Sequence, residues 1–275
     1  MTAQIRAALT WAIVFATVAC TAGPPAPTPP VPPPPASATA STPPPPTSEP
    51  PVSTTAPPTS APSSLPPSLA GACWSRSPTD REVVALTFDA GGNDAGVAPI
   101  LATLRRERVP ATFFMTGRWA EVYPERAVAI ASGFPVGNHT QTHADLTTLS
   151  RAAVTAEVVA AQRSLRRITG RDPRPLFRFP YGASNAQAID TIHALGYGCI
   201  GWTVGSLGWR GTSSGVTVDA IVRAVHDGLA PGAIVLMHVG ANPDDGSTLD
   251  ADALPLVIRT IRAHGYGFVT LPEML

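Results

Sequence analysis

The chain has 275 residues, 14% of them charged, with 19 basic and 19 acidic side chains and a formal net charge of zero. That balance excludes the basic stripe of a nucleic-acid binder, so no nucleic-acid partner is expected. The 32 prolines far exceed average usage, and most of them precede residue 71.

At the start, Arg6 precedes an apolar run over residues 7–19 broken only by two threonines. A positive n-region and a short apolar h-region predict a secretory signal over residues 1–19. The run is too short for a membrane span, which needs roughly 20 residues. It ends in Thr17-Val18-Ala19-Cys20, which resembles a bacterial lipobox, although Thr17 stands where Leu, Val or Ile is usual. A lipid anchor at Cys20 is therefore expected as the one membrane attachment, with an ordinary cleaved signal as the alternative. Residues 20–70 are almost wholly Pro, Ala, Ser and Thr, with Glu49 as their one charge. Such a segment cannot bury enough apolar surface to offset the entropy of ordering, and it is read as a disordered tether. At about 3.1 Å per residue it could reach on the order of 150 Å. Signal and tether together predict an extracytoplasmic protein, held at the membrane or secreted and associated with the cell wall. Two further cysteines, Cys73 and Cys199, can pair if the compartment is oxidising or stand as free thiols; spacing does not decide.

Residues 71–275 have the composition of one globular domain. Apolar strands are predicted at 83–88, 111–115, 176–178, 198–204, 233–238 and 267–270. Helices are predicted at 95–107, 119–132, 150–169, 185–195, 217–228 and 249–264. This alternation gives an α/β class with a parallel sheet covered by helices, open or closed into a barrel. In such folds chemistry gathers at the carboxyl ends of the strands.

Polar residues stand at those ends. Asp89 follows the first strand and precedes Ala90-Gly91-Gly92; alone it could as well cap the next helix. His139 and His143 lie four residues apart, so on a helix both imidazoles would share one face and reach one metal ion. Arg178 opens Arg178-Phe179-Pro180-Tyr181-Gly182 and could fork onto a carboxylate. His238 closes the apolar strand at 233–237. Each feature alone has an equally good structural explanation; their order at successive strand ends does not.

These residues resemble the NodB-type polysaccharide deacetylases, carbohydrate esterase family 4. The likeness runs over roughly residues 80–273 and includes LTFDAG for the family's TFDDG, NHTQTH for H(S/T)xxH and RFPYG for RxPYG. WTVGSLGW and VLMH complete the set. The resemblance implies a distorted (β/α) barrel and a divalent metal, zinc with cobalt or nickel as alternatives. It makes Asp89 the general base held by Arg178, and His139 and His143 metal ligands. The Tyr181 backbone N–H becomes an oxyanion donor, His238 the general acid, and Trp209 and Leu236 walls of the acetyl pocket. Two departures follow. Ala90 stands where the family has its third metal ligand, and Asp94 is expected to replace it, with Asn93 a poorer candidate. Gly205 and Gly208 stand where the family has aspartates, the first of which pairs with the acid histidine; Asp244 or Asp245 is expected to serve instead. The implied activity is removal of N-acetyl groups from peptidoglycan or a chitin-like glycan by a monomer. The alternatives are O-acetyl esterase chemistry on a xylan-type glycan, or a wall-anchored glycan-binding protein with a decayed site.

Overall fold

The computed structural model describes residues 66–71 and 73–275. The expected signal, the lipobox cysteine Cys20 and nearly all of the tether lie outside the described residues. Leu69, assigned to the tether from composition, is buried among Ala85, Phe114, Leu176, Ile200, Ile234 and Leu271, so packing begins just before Gly71.

Eight parallel strands form the sheet: β1 (Val83–Ala90), β2 (Ala111–Met115), β3 (Val136–Asn138), β4 (Leu176–Phe177), β5 (Gly198–Cys199), β6 (Val204–Gly205), β7 (Ala233–His238) and β8 (Gly267–Phe268). Their order is β5-β4-β3-β2-β1-β7-β6, with β8 pairing the start of β1. Among the described residues, seven α-helices cover the outside: α1 (Val97–Glu107), α2 (Gly117–Val122), α3 (Pro124–Ala131), α4 (Arg151–Thr169), α5 (Ala186–Ala194), α6 (Val218–Asp227) and α7 (Leu249–Ala263). This is the distorted α/β barrel expected from the sequence.

Alternation along β1 assigns the two faces. Val84, Leu86, Phe88 and Ala90 join the core between sheet and helices, whereas Ala85 belongs to the interior cluster and Asp89 opens into a cleft. In β7, Ala233, Val235 and Met237 pack outward in the same way, and Ile234, Leu236 and His238 face inward.

Three elements differ from expectation. The helix expected at 119–132 is two helices, because Pro124 lacks an N–H and starts α3 after Tyr123 leaves helical geometry. The strand expected at 198–204 is split into β5 and β6, leaving a gap in the barrel. Residues 74–76 fill that gap: Trp74 bridges Ile200 in parallel, and Arg76 bridges Ala233 antiparallel. Strand β3 has a single apolar β-former, Val136, and its short pattern gave no period to read.

Cys73 and Cys199, 126 positions apart in sequence, form a disulfide that ties this filling segment to β5. Closing so long a loop removes much unfolded-state entropy, so a Cys73→Ala/Cys199→Ala variant should lose about 2–5 kcal/mol of stability. Urea unfolding of both proteins, with and without reductant, measures it; reductant should act on the wild type alone.

Candidate active site

The β1–β7 register pairs Asp89 with His238, so the two side chains emerge side by side at the carboxyl edge of the sheet. Both line a cleft of about 550 Å³ together with His139, His143, Tyr181, Trp209 and Leu236. Of the nine residues expected to form the site, only two are not cleft-lining: Arg178 lies beneath it, and Asp94 lies away from it.

Arg178 is completely buried. Its Nη1 donates to Asp89 Oδ1 at 2.8 Å and to Thr87 Oγ1 at 3.0 Å. Nε and Nη2 donate to the carbonyls of Ile200 (3.3 Å) and Gly201 (3.0 Å), and the guanidinium lies 4.2 Å above the Phe114 ring. All three nitrogens of the fork thus donate. Burial by itself would push the Asp89 carboxyl up, but the charge and hydrogen bond of Arg178 beside it lead the opposing effects and hold the group below the usual carboxylate range. Asp89 is therefore an ionised base at neutral pH, with Oδ1 occupied and Oδ2 turned to His139.

The two histidines reach the cleft by a route other than a helix. Asn138, at the end of β3, accepts the Thr140 N–H through Oδ1 at 2.9 Å, and its amide donates to Val158 O and Tyr197 Oη. Thr140 and His143 then both adopt left-handed backbone, with φ of 70° and 65°. Such non-glycine residues are costly and persist only where surroundings enforce them. Here Thr140 Oγ1 accepts the His143 N–H, and Glu157 of α4 accepts the N–H groups of Gln141 and Thr142. The ring centroids of His139 and His143 end 4.8 Å apart. The expected convergence is present, and a turn clamped from α4, not a helical face, produces it.

His139 Nδ1 lies 2.8 Å from the Arg178 carbonyl, which can only accept, so the ring proton is assigned to Nδ1. Nε2 then carries a lone pair 3.5 Å from Asp89 Oδ2. Burial lowers the pKa of His139 against the raising pull of Asp89, and burial lowers that of His143 to about 4. Two neutral imidazoles and an anionic oxygen thus face one another without a proton to share, a donor set that fits a divalent cation. His139 and His143 would hold it. Among the described residues no group of three His, Cys, Asp or Glu surrounds such a point.

The replacement ligand expected at Asp94 is therefore not supplied. Its carboxylate accepts from Arg126 Nε at 2.9 Å instead, and its carbonyl caps the start of α1. Asn93 does line the cleft, but its amide is committed to both backbone groups of Ala241, stapling the loops after β1 and β7 together. Ala90 packs into the outer core. Asp245, expected beside His238, is consumed by Ser213 N–H, Thr212 and Ser247, and Asp244 makes no contact with the histidine. The carboxylate actually beside His238 is Asp250, in the first turn of α7: its Oδ2 accepts the His238 backbone N–H at 2.8 Å and lies 3.6 Å from Nδ1.

Tyr181 sits at φ 60° in the turn after β4 and is 71% exposed, its ring edge-on to His143 at 4.7 Å. The neighbouring Gly182 and Ala183 N–H groups are bonded to Phe179 and Pro180, whereas the Tyr181 N–H has no partner among the described residues. Trp209, half-exposed, stands 6.4 Å from the His238 ring.

With this geometry in view, the comparisons with known proteins agree. The family model described as polysaccharide deacetylase matches residues 76–200. A chitooligosaccharide deacetylase of Sinorhizobium fredii is 34% identical over 206 residues, spanning 72% of this chain and 94% of that protein. The chain belongs to the polysaccharide deacetylase family. Among other members of the family, a peptidoglycan-N-acetylglucosamine deacetylase of Bacillus cereus is 31% identical over 72% of this chain and 70% of its own. The fold also matches BA3943, a pseudoenzyme of carbohydrate esterase family 4 from Bacillus anthracis. That match has a TM-score of 0.64 and 27% identity, covering 71% of this chain and 66% of that one.

Two outcomes test this polysaccharide deacetylase site. Removing Arg178 leaves a buried carboxylate uncompensated, so Arg178→Met should cost about 3–5 kcal/mol in urea unfolding. Asp89→Asn in the same background should recover part of it. In the metal-free protein the depressed pKa of His143 means the unfolded chain binds protons first. Its contribution to stability is present above pH 6.5 and is lost as pH falls toward about 4. Melting temperature against pH should drop through that window, and less steeply in His143→Gln.

Proposed function

We propose that the protein is a metal-dependent N-deacetylase of a cell-surface polysaccharide, acting on N-acetylglucosamine units of peptidoglycan or a chitin-like glycan and releasing acetate. The observation that carries this reading is the convergence of Asp89, His139, His143 and His238 on one cleft, with the buried Arg178 holding the base ionised. A divalent ion on His139 and His143 would supply water activation near neutral pH and polarisation of the acetyl carbonyl. Asp89 Oδ2, unburdened by Arg178, accepts the proton of the attacking water. The free Tyr181 N–H donates to the oxygen that becomes negative at the acetyl carbon, a contact worth about 3 kcal/mol where such donors have been removed. His238 delivers a proton to the leaving amine. Leu236 and Trp209 bound the space for the acetyl methyl and exclude water from it.

The names of the Sinorhizobium and Bacillus cereus relatives support the substrate class. The signal, the lipobox-like Cys20 and the proline-rich tether support a place outside the cytoplasm, and the Cys73–Cys199 disulfide supports an oxidising compartment. Zinc is the metal of choice because two imidazoles and oxygen ligands suit it; cobalt or nickel could substitute.

One observation favours a second reading. With Ala90 in the core and Asp94 on Arg126, the protein offers the metal two ligands, and a pseudoenzyme is among the similar structures. In that reading the cleft binds glycan without cleaving it.

Acetate release decides between them. The full-length protein with added zinc or cobalt should deacetylate N-acetylglucosamine oligomers and peptidoglycan, and Asp89→Asn and His139→Ala should each fall by about 100-fold or more. Release from acetylated xylan alone would mean O-acetyl esterase chemistry. No release with any metal, from protein that still binds the oligomers, would establish the glycan-binding reading.

A further inference from the structure

Asp250 is an unusual residue for the first turn of a helix. An aspartate there ordinarily faces water and complements the helix dipole or caps its own N–H groups. Asp250 is 3% exposed, and its Oδ2 accepts an N–H from β7 rather than from α7. A buried carboxylate is expensive unless it has specific partners. On the described residues its Oδ1 has no hydrogen-bond partner, and neither does His238 Nδ1. The two unpartnered groups belong to adjacent side chains, with His238 Nδ1 3.6 Å from Asp250 Oδ2.

A second observation is independent of these bonds. Gly208, buried at the start of a short turn (Gly208–Arg210), lies directly against the Asp250 carboxylate, and a Cβ at that position would collide with it. Its backbone is not left-handed, so glycine is not required there by φ. What position 208 requires is space, and the space is filled by a carboxylate reaching in from α7.

We propose that Asp250 is the positioning residue of His238. Its Oδ2 fixes the His238 main chain through the N–H and, 3.6 Å from Nδ1, biases the ring proton to that nitrogen by its charge, leaving Nε2 to serve the cleft; Gly208 is the clearance that lets it do so. The helix α7 thereby supplies from behind what Gly205, on β6, cannot supply from the side. Asp250 does not line the cleft and acts only through the histidine. The assignment deepens the deacetylase reading and rests on it for its kinetic consequence, but its geometric core does not depend on turnover.

The test uses the full-length protein and three variants: Asp250→Asn, which keeps an acceptor for the His238 N–H and preserves shape, Asp250→Ala, and Gly208→Ala, which keeps the carboxylate but intrudes on it. The first readout is the ring 15N shifts of His238, assigned by loss of signal in His238→Gln, at a pH where the imidazole is neutral. The wild type should show the Nδ1–H form, and all three variants a mixture with the Nε2–H form. The second readout is deacetylation of N-acetylglucosamine oligomers: kcat should fall by about 100-fold or more in Asp250→Asn, with KM within about twofold. Unchanged His238 ring shifts in Asp250→Asn and Asp250→Ala would overturn the proposal, whatever happens to activity. A wild type without activity whose ring shifts still change in the variants would sustain the positioning role while ending the deacetylase reading.

Discussion

The buried pair of Arg178 and Asp89 is the constraint around which the rest of the molecule is arranged. Taking both charges out of water costs far more than a surface ion pair returns, so the pair depends on each of the three guanidinium nitrogens having a hydrogen-bond partner. Those partners come from β1 (Thr87), from the residues just past β5 (Ile200, Gly201) and from the face of Phe114 on β2. The Arg178 carbonyl, in turn, fixes the tautomer of His139. One side chain therefore joins the two halves of the strand order, holds the base ionised and orients a candidate metal ligand. Partial loss of this network would expose unpaired charge, which is why its parts are expected to stand or fall together.

A shell of less conspicuous contacts converts that centre into a site. The left-handed backbone at Thr140 and His143 has no stabilising sequence of its own; it is imposed by Asn138, by Glu157 and by the packing of α4 on β3. Asn93 performs the same service on the other side, tying the loop after β1 to the loop after β7. The residues that face the cleft are few, and the residues that decide where they point lie one layer back.

That division explains what the sequence disclosed. Long apolar runs such as residues 83–88 and 233–238 are readable because strands buried on both faces leave no polar interruption, and the polar residue closing each run marks the site. Asp89, Arg178 and His238 were legible for this reason. Strand β3 was not, since Val136-Gly137-Asn138 is too short to have a period. The turn at residues 139–143 was not legible, because spacing alone does not distinguish a helical face from two left-handed corners. Asp94 was misjudged, and Asp250 was not singled out at all. An acid in a glycine-rich loop beside the base looks like a ligand, yet it answers to Arg126 across the surface. The partner of His238 was sought at Asp244 or Asp245, next to it in sequence, whereas the carboxylate buried behind the histidine is Asp250, in the first turn of α7. Which arginine or histidine lies opposite a carboxylate is a tertiary fact, absent from local sequence.

The pairing of Asp89 with His238 across two hydrogen-bonded strands has one more consequence. Neighbouring strands are held about 4.8 Å apart by the backbone itself. The separation of Asp89 and His238 is thus a property of the ladder, independent of any loop. Tyr181, Leu207 and Trp209, by contrast, are exposed side chains on the connections that rim the cleft. Substitutions or insertions in those connections can reshape the rim of the cleft while the spacing of Asp89 and His238 stays put. The architecture separates what a lineage can vary from what it must keep, and it does so with nothing more than the spacing of two adjacent strands.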